Sequence, residues 1–430
     1  MGNPTKNQSS LNLTRSLSDG AAWNLASHRW IYLVMGFFLV LYGWLTLNGY
    51  GNHDDIYRMI GTWRTLLSEH RYAPSRFQGY LIPELSIGLS SQLGDYYLSN
   101  GVSALLGLCS LFIFYRLLLP VTAAAIAALA VGAIGSNPFW IIAATTSTDY
   151  IYPTFFFLLG LLAVLGGRLR WAGVIFALAV SSRITYGPMA ALAFAFYFPY
   201  LKSRKELGGR FWQGIALFLV GSAALYLPVF FASGMSLSFL KFASDTAGGT
   251  LGDIVRFFYK NVYFWGLPTF IVLLVFFIRE RGFFGRQIGR NPFRNATVEK
   301  LIFHAVFWWF IYTEIWFLRL PHQYQYLIPI LFCVAYFITR IPNLRRQIIY
   351  LSLIFSLHLV YAVCSFDLLE TYQTEGINNT IHSDGAVFHP SFKKGALWRD
   401  YDWRSRYQHH LTNDFNQRWQ HFGKPLGNPL

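Results

Sequence analysis

The chain has 430 residues, of which 54% are hydrophobic, 19% aromatic and only 13% charged. Its length would allow two or three soluble domains, but this balance excludes them and sets the core against lipid. The formal charge of +15 does not point to nucleic acid: much of it lies in loops such as 279–300, where it orients a membrane chain and attracts anionic lipid.

Residues 1–29 form a polar leader rich in Ser, Asn and Thr, expected to be cytoplasmic and disordered. No small-residue cleavage pattern precedes the first apolar run, so that run is read as an anchor. Hydropathy predicts about eleven transmembrane helices, at roughly 30–48, 98–115, 119–135, 151–165, 171–184, 186–201, 211–231, 263–278, 301–318, 325–339 and 347–363. Several are shorter than the ~20 residues of a straight crossing, so they must tilt, bend or be shielded by neighbours. The expected fold class is an all-α integral membrane protein, with a transmembrane module over 30–363 and a tail over 364–430. With the leader inside, nineteen basic residues fall in inside segments and nine in outside ones, the tail left aside. That bias puts the amino terminus in the cytoplasm and the tail on the exoplasmic or periplasmic side of the plasma (inner) membrane. Cys109, Cys333 and Cys364 are scattered singly, which indicates neither a disulfide framework nor a thiolate metal site.

The first outer loop, 50–97, gathers charge in a chain otherwise poor in it. Ile56, Met59, Ile60, Trp63, Leu66 and Leu67 follow helical spacing and predict an amphipathic helix in the membrane interface, with Asp54 and Asp55 at its start. One Asp suffices to cap a helix, so the pair is read either as a cap or as a cap plus a carboxylate for chemistry. Downstream, Arg76, Gln78 and Glu84 read as the second half of a cleft, with Gly79 at a turn and Pro83 in a helical first turn.

Asp149 ends the polar run 145–149 before the fourth span, as an N-cap or as a site residue facing the same compartment. Arg183 lies where two short spans meet. A cation there costs ~2.5–3.5 kcal/mol at mid-bilayer, so it either snorkels or faces a polar cavity with a partner. A second interfacial helix is expected near Asp253–Lys260. The turn 319–326 then concentrates Arg319, His322 and Tyr326 with Gln323, Tyr324 and Gln325. The tail after Phe366 holds seven basic and seven acidic residues, and Trp398, Tyr401, Trp403, Tyr407 and Trp419 suit packing on the bundle or contact with carbohydrate. It is too short to expect an independent fold.

The many spans, the Asp54-Asp55 pair after the first of them, the interfacial helix and the Arg-Leu-Pro-His-Gln-Tyr-Gln-Tyr turn together resemble the C-type (GT-C) polytopic glycosyltransferase superfamily. The resemblance is to the branch of protein-mannosyltransferases and lipid A aminoarabinose transferases, and it covers about residues 30–340. It implies that Asp54 or Asp55 serves the acceptor hydroxyl, and that the donor is a sugar on a polyprenyl phosphate. The acceptor would be a glycan, lipid or polymer. The family's late Pro-x-x-x-Arg-Tyr pattern is matched in part, because Gln325 stands where Arg is usual before Tyr326. Arg319, His322 or Arg183 is left to supply the phosphate contact.

The residues agree with that chemistry, since the transfer needs a base at the attacking hydroxyl and cations on the departing phosphate. No cofactor is required; a divalent cation, Mg or Mn, bridging an Asp to the phosphate stays open, with no further ligands at diagnostic spacing. Expected partners are membrane lipids and the two substrates, not nucleic acid. An O-antigen-type polymerase or ligase is the alternative, leaning on Arg and His rather than a first-loop acid. A lipid or sugar transporter would instead show paired repeats with broken helices near the midplane.

Overall fold

The computed structural model describes residues 25–51, 54–76, 78–203, 208–237, 249–289, 297–321, 324–375 and 381–407. The leader up to residue 24, His322 and Trp419 lie outside them. Helix α1 (Leu25–Leu45) is followed by a 3-10 turn (Thr46–Asn48), α2 (Asp54–Glu69) and the long α3 (Leu81–Leu118). Then come α4 (Ala124–Gly135), α5 (Pro138–Thr145), α6 (Ile151–Leu165), α7 (Leu169–Ser182), α8 (Tyr186–Ser203) and α9 (Gly209–Ala232). The second half holds α10 (Gly249–Trp265), α11 (Leu267–Arg279), α12 (Arg281–Ile288), α13 (Val298–Arg319), a 3-10 turn (Tyr324–Leu327), α14 (Ile328–Arg340) and α15 (Leu344–Val363). An antiparallel hairpin, β1 (Cys364–Glu375) and β2 (Ile381–Lys394), and helix α16 (Ala396–Tyr407) close the described chain.

The hairpin corrects the all-α expectation. Neither strand carries a continuous apolar run, so hydropathy passes over both. The span count also differs: among the described residues five helices are long and apolar enough to cross a membrane, or up to seven if each bent pair is one span. Runs that read as separate crossings fold instead as short apolar helices, α6 and α7 among them, or as halves of a bent pair. The run starting at residue 98 belongs to α3, which begins at Leu81 and leaves helical geometry only at Gly94 and Asp95.

The two bent pairs meet. Helices α4 and α5 turn by 75° at residues 136–137, and the end of α10 turns by 102° into α11 at Gly266. Such breaks free backbone groups that lipid cannot satisfy. Asn137 caps α5, accepting from the N–H groups of Phe139 (3.0 Å) and Trp140 (3.2 Å), and its amide donates to Phe264 O at the other break (3.3 Å). Fully buried His358 of α15 contacts the Asn137 amide (3.4 Å) and Ala133 O (2.9 Å). Elsewhere α7 and α9 approach backbone to backbone: a Cβ on Gly173 would lie 2.1 Å from Gly214 O. Only paired glycines permit that contact, the small-residue packing usual in membranes.

Candidate functional site

One end of the bundle collects the polar residues that the sequence singles out. Its frame is Asn100 of α3, fully buried, whose amide donates to Thr46 O (3.2 Å) and Gly49 O (2.7 Å) and accepts from Ser147 Oγ (2.7 Å). It thereby ties the chain between α1 and α2 to the polar run 145–149.

The second anchor is Glu84. It is fully buried, and one oxygen accepts from Ser75 N (2.8 Å) and Ser75 Oγ (2.6 Å) while the other accepts from the Tyr72 hydroxyl. Burial, and then the neighbouring carboxylate, push the Tyr72 pKa well above its ordinary value, so the phenol stays a donor. Glu84 therefore sets the shape of the loop that presents Arg76. The loop turns back at Gly79, whose N–H donates to Arg76 O (2.9 Å). Gly79 has φ +65, and a Cβ there would lie 2.5 Å from Val229 Cγ2, so no other residue fits.

Two ion pairs stand on this frame, one partly and one fully buried. Arg76 Nε donates to Asp55 Oδ1 (2.8 Å) and its Nη2 pairs with Oδ2. Arg183, 3% exposed, bonds Asp149, 1% exposed, through Nε and Nη2, both 2.9 Å from Oδ2. Asp149 Oδ1 is buried and accepts no hydrogen bond from the described residues. The pairs are joined by a ring: Arg183 lies over Tyr150 (4.1 Å), Tyr326 (4.7 Å) and Tyr80 (5.4 Å), and Arg76 lies over the same Tyr80 (5.5 Å). Burial raises the Tyr80 pKa against the pull of both cations, so this ring stays neutral. Burying charge is costly, and a polar cluster of this kind points to function more than to stability.

Three cavities adjoin the cluster. An apolar cleft lined by Phe114, Leu117, Leu161, Phe196 and Ile302 runs to Tyr186, Met189 and Pro329. Those three residues also line a narrow chamber of about 20 Å³ that contains Arg183, Tyr150, Gln325 and Tyr326. On the other side of Tyr150 and Gln325 lies a roomier cavity of about 580 Å³ with a mixed polar and apolar lining.

Of the residues expected from the sequence, Asp55, Arg76, Asp149, Arg183 and Tyr326 come together. Asp149 is not a helix cap, since α6 is preceded by Tyr150 and Asp149 itself pairs with Arg183. Arg183 has the buried partner and cavity required of it, in place of snorkelling. Glu84 supports the loop, and Gln78 is half-buried in the turn after Arg76. Asp54 starts α2, but its side chain lies outside the described structure. Arg319 ends α13 exposed. Among the described residues no three of His, Cys, Asp and Glu gather as a metal site. Both Asp55 oxygens face Arg76.

Sequence reasoning held Tyr80 only as part of the segment 76–84, and missed Tyr150, Asn100 and Arg404. The last is the largest omission. Arg404 of α16 is 0% exposed and donates to Leu45 O (3.1 Å) and Thr145 O (3.2 Å), with Asp400 at 2.6 Å. It fastens the tail to the end of α1 and to the head of the run that carries Asp149. Tyr401 beside it stacks on Trp44, with centroids 5.0 Å apart, as the aromatic content of the tail suggested.

No family model matches the chain, and no curated relative matches it. Solved structures share its fold, and these neighbours are aminoarabinose transferases of the C-type (GT-C) polytopic glycosyltransferases. One is ArnT from Cupriavidus metallidurans bound to undecaprenyl phosphate, with TM-score 0.53 and 14% identity over 78% of this chain and 65% of that one. Another is ArnT of the same organism in the apo state, with TM-score 0.50 and 14% identity over 75% and 62%. The chain thus spans less than two thirds of ArnT's length, and at this identity the likeness establishes the fold.

Proposed function

We propose that this protein is a multi-pass membrane glycosyltransferase that moves a sugar from a polyprenyl phosphate to a glycan, lipid or polymer acceptor at the periplasmic face. The carrying observation is that the apolar cleft and the Arg183 chamber share Tyr186, Met189 and Pro329. A lipid chain in the cleft brings its phosphate to a buried guanidinium, whose planar fork matches phosphate oxygens. The undecaprenyl phosphate bound to ArnT supports this donor class. The chamber is water-sized, so phosphate entry displaces the Tyr326 ring or the Asp149 contact.

In the transfer, the acceptor oxygen bonds to the anomeric carbon as the bond from that carbon to phosphate oxygen breaks. The acceptor proton passes to Asp54 or Asp55, and polyprenyl phosphate leaves with its new charge facing Arg183 and Arg76. Glu84 holds the loop that keeps Arg76 against Asp55. Water is excluded by the tyrosine ring, which strengthens each charge interaction within it.

The test is turnover of a polyprenyl-phosphate sugar by purified Asp54→Asn, Asp55→Asn and the double variant, with melting temperatures alongside. Loss of a general base lowers the rate by ~10²–10⁴-fold, whereas loss of a cap costs about 1 kcal/mol of stability and spares the chemistry. Near-normal turnover in all three variants removes both residues as the base and moves the search to Glu84 and to Asp149, whose buried Oδ1 accepts no hydrogen bond from the described residues.

A further inference from the structure

The cavity of about 580 Å³ beyond Tyr150 and Gln325 has no part in donor binding as described above, yet its volume is that of a small-molecule site (~300–1,000 Å³). We infer that it is a saccharide subsite for the acceptor, with Arg399 of the tail helix α16 as its specificity-determining cation; this rests on the glycosyltransferase reading.

The lining suits a sugar ring, which has apolar C–H faces and a rim of hydroxyls. Phe139, Tyr263 and Tyr324 form an aromatic wall, their centroids 4.2 to 5.6 Å apart. Thr146, Thr148 and Tyr150 line the same space, the two threonine hydroxyls donating to Ile142 O (2.7 Å) and Ala143 O (3.4 Å) and keeping lone pairs as acceptors. Arg399 Nη2 donates to the Tyr263 hydroxyl at 2.8 Å, and the carboxylate of Asp367 stands 3.9 Å away, at the limit of an ion pair. The guanidinium is 37% exposed and keeps N–H groups for a pair of adjacent sugar hydroxyls. A lipid tail is the wrong occupant for this lining, and the apolar cleft already offers it a place.

The position fits an acceptor and not a donor. Ile56, adjacent to Asp55, lines this cavity, and the Arg183 chamber separates it from the apolar cleft. Sugar hydroxyl and donor phosphate therefore approach from opposite sides of Tyr150. Helix α16 is held against the cavity by Arg404, so Arg399 is built into the site.

The experiment applies the full-length protein in nanodiscs to an array of neutral, amino and uronate-containing oligosaccharides, and measures undecaprenyl phosphate binding by native mass spectrometry. The wild type should retain a defined subset of saccharides. Arg399→Ala and Tyr324→Leu should each weaken that binding about ten-fold or more, while undecaprenyl phosphate binding is unchanged in both; Tyr324→Leu keeps the test decisive if Arg399→Ala does not fold. Undiminished saccharide binding in both variants overturns the subsite. So does a wild type that binds undecaprenyl phosphate but no saccharide. Failure of the wild type to bind undecaprenyl phosphate is a distinct result, and it removes the glycosyltransferase reading instead.

Discussion

Arg183 is a cation kept 3% exposed by one carboxylate and three phenol rings, and its energetics separate a structural part from a functional one. Removing one partner of a buried pair costs ~3–5 kcal/mol, because the other charge is left uncompensated, while replacing both is often nearly neutral. Arg183→Ala should therefore lower the melting temperature markedly, and combining Arg183→Gln with Asp149→Asn should recover most of the loss without restoring transfer. Arg183→Lys keeps the charge but loses the fork, so transfer should fall in a protein that still folds. Wild-type donor affinity and turnover in Arg183→Ala would leave the residue a purely structural role. The sequence made Asp149 and Arg183 suspects one at a time, from a polar run and a charge between short spans. Their pairing was not legible, because 34 residues and two helices separate them. Tyr150 gave no signal, since a tyrosine at a span end is common in membrane proteins, and Tyr80 was marked only as one residue of the segment 76–84.

At the scale of elements, a helix after the first span was readable, because the spacing of Ile56, Met59 and Ile60 is a local property of the chain; these three are buried in α2, while Leu67 of the same expected stripe is exposed. The tail was not. Its aromatic residues suggested contact with the bundle, but the hairpin has no apolar run, and beyond Asp400 on its own helix Arg404 donates to backbone carbonyls of the bundle, which no side-chain pattern announces. Arg404→Ala should undock α16, with a loss of ~3–5 kcal/mol for the orphaned Asp400. Proteolysis in nanodiscs should then cut after Val363 faster than in wild type. Unaltered melting and cleavage would mean that the burial of Arg404 does not hold the tail.

For the whole molecule, hydropathy marked most apolar runs but could not tell a crossing from a half-crossing. The bends depend on Asn137 and His358, which meet across 221 residues. Orientation is tested by chemistry at two loops. A cysteine introduced at His53 should react with an impermeant thiol reagent applied from outside, and one at Gln287 should not, as the nineteen-to-nine distribution of basic residues requires. The reverse pattern would turn the proposed site to the cytoplasm.

The Arg404 bond to Leu45 O spans 359 residues, and this makes the clasp of the tail a late event in the life of the chain. At synthesis rates of ~5–20 residues per second, roughly twenty to seventy seconds pass between the emergence of these two residues. Through that interval the carbonyl of Leu45 awaits its donor, joined by that of Thr145, which lies 259 residues before Arg404. A nascent chain therefore passes through its early membrane stages without this clasp, and gains it only when its tail folds back.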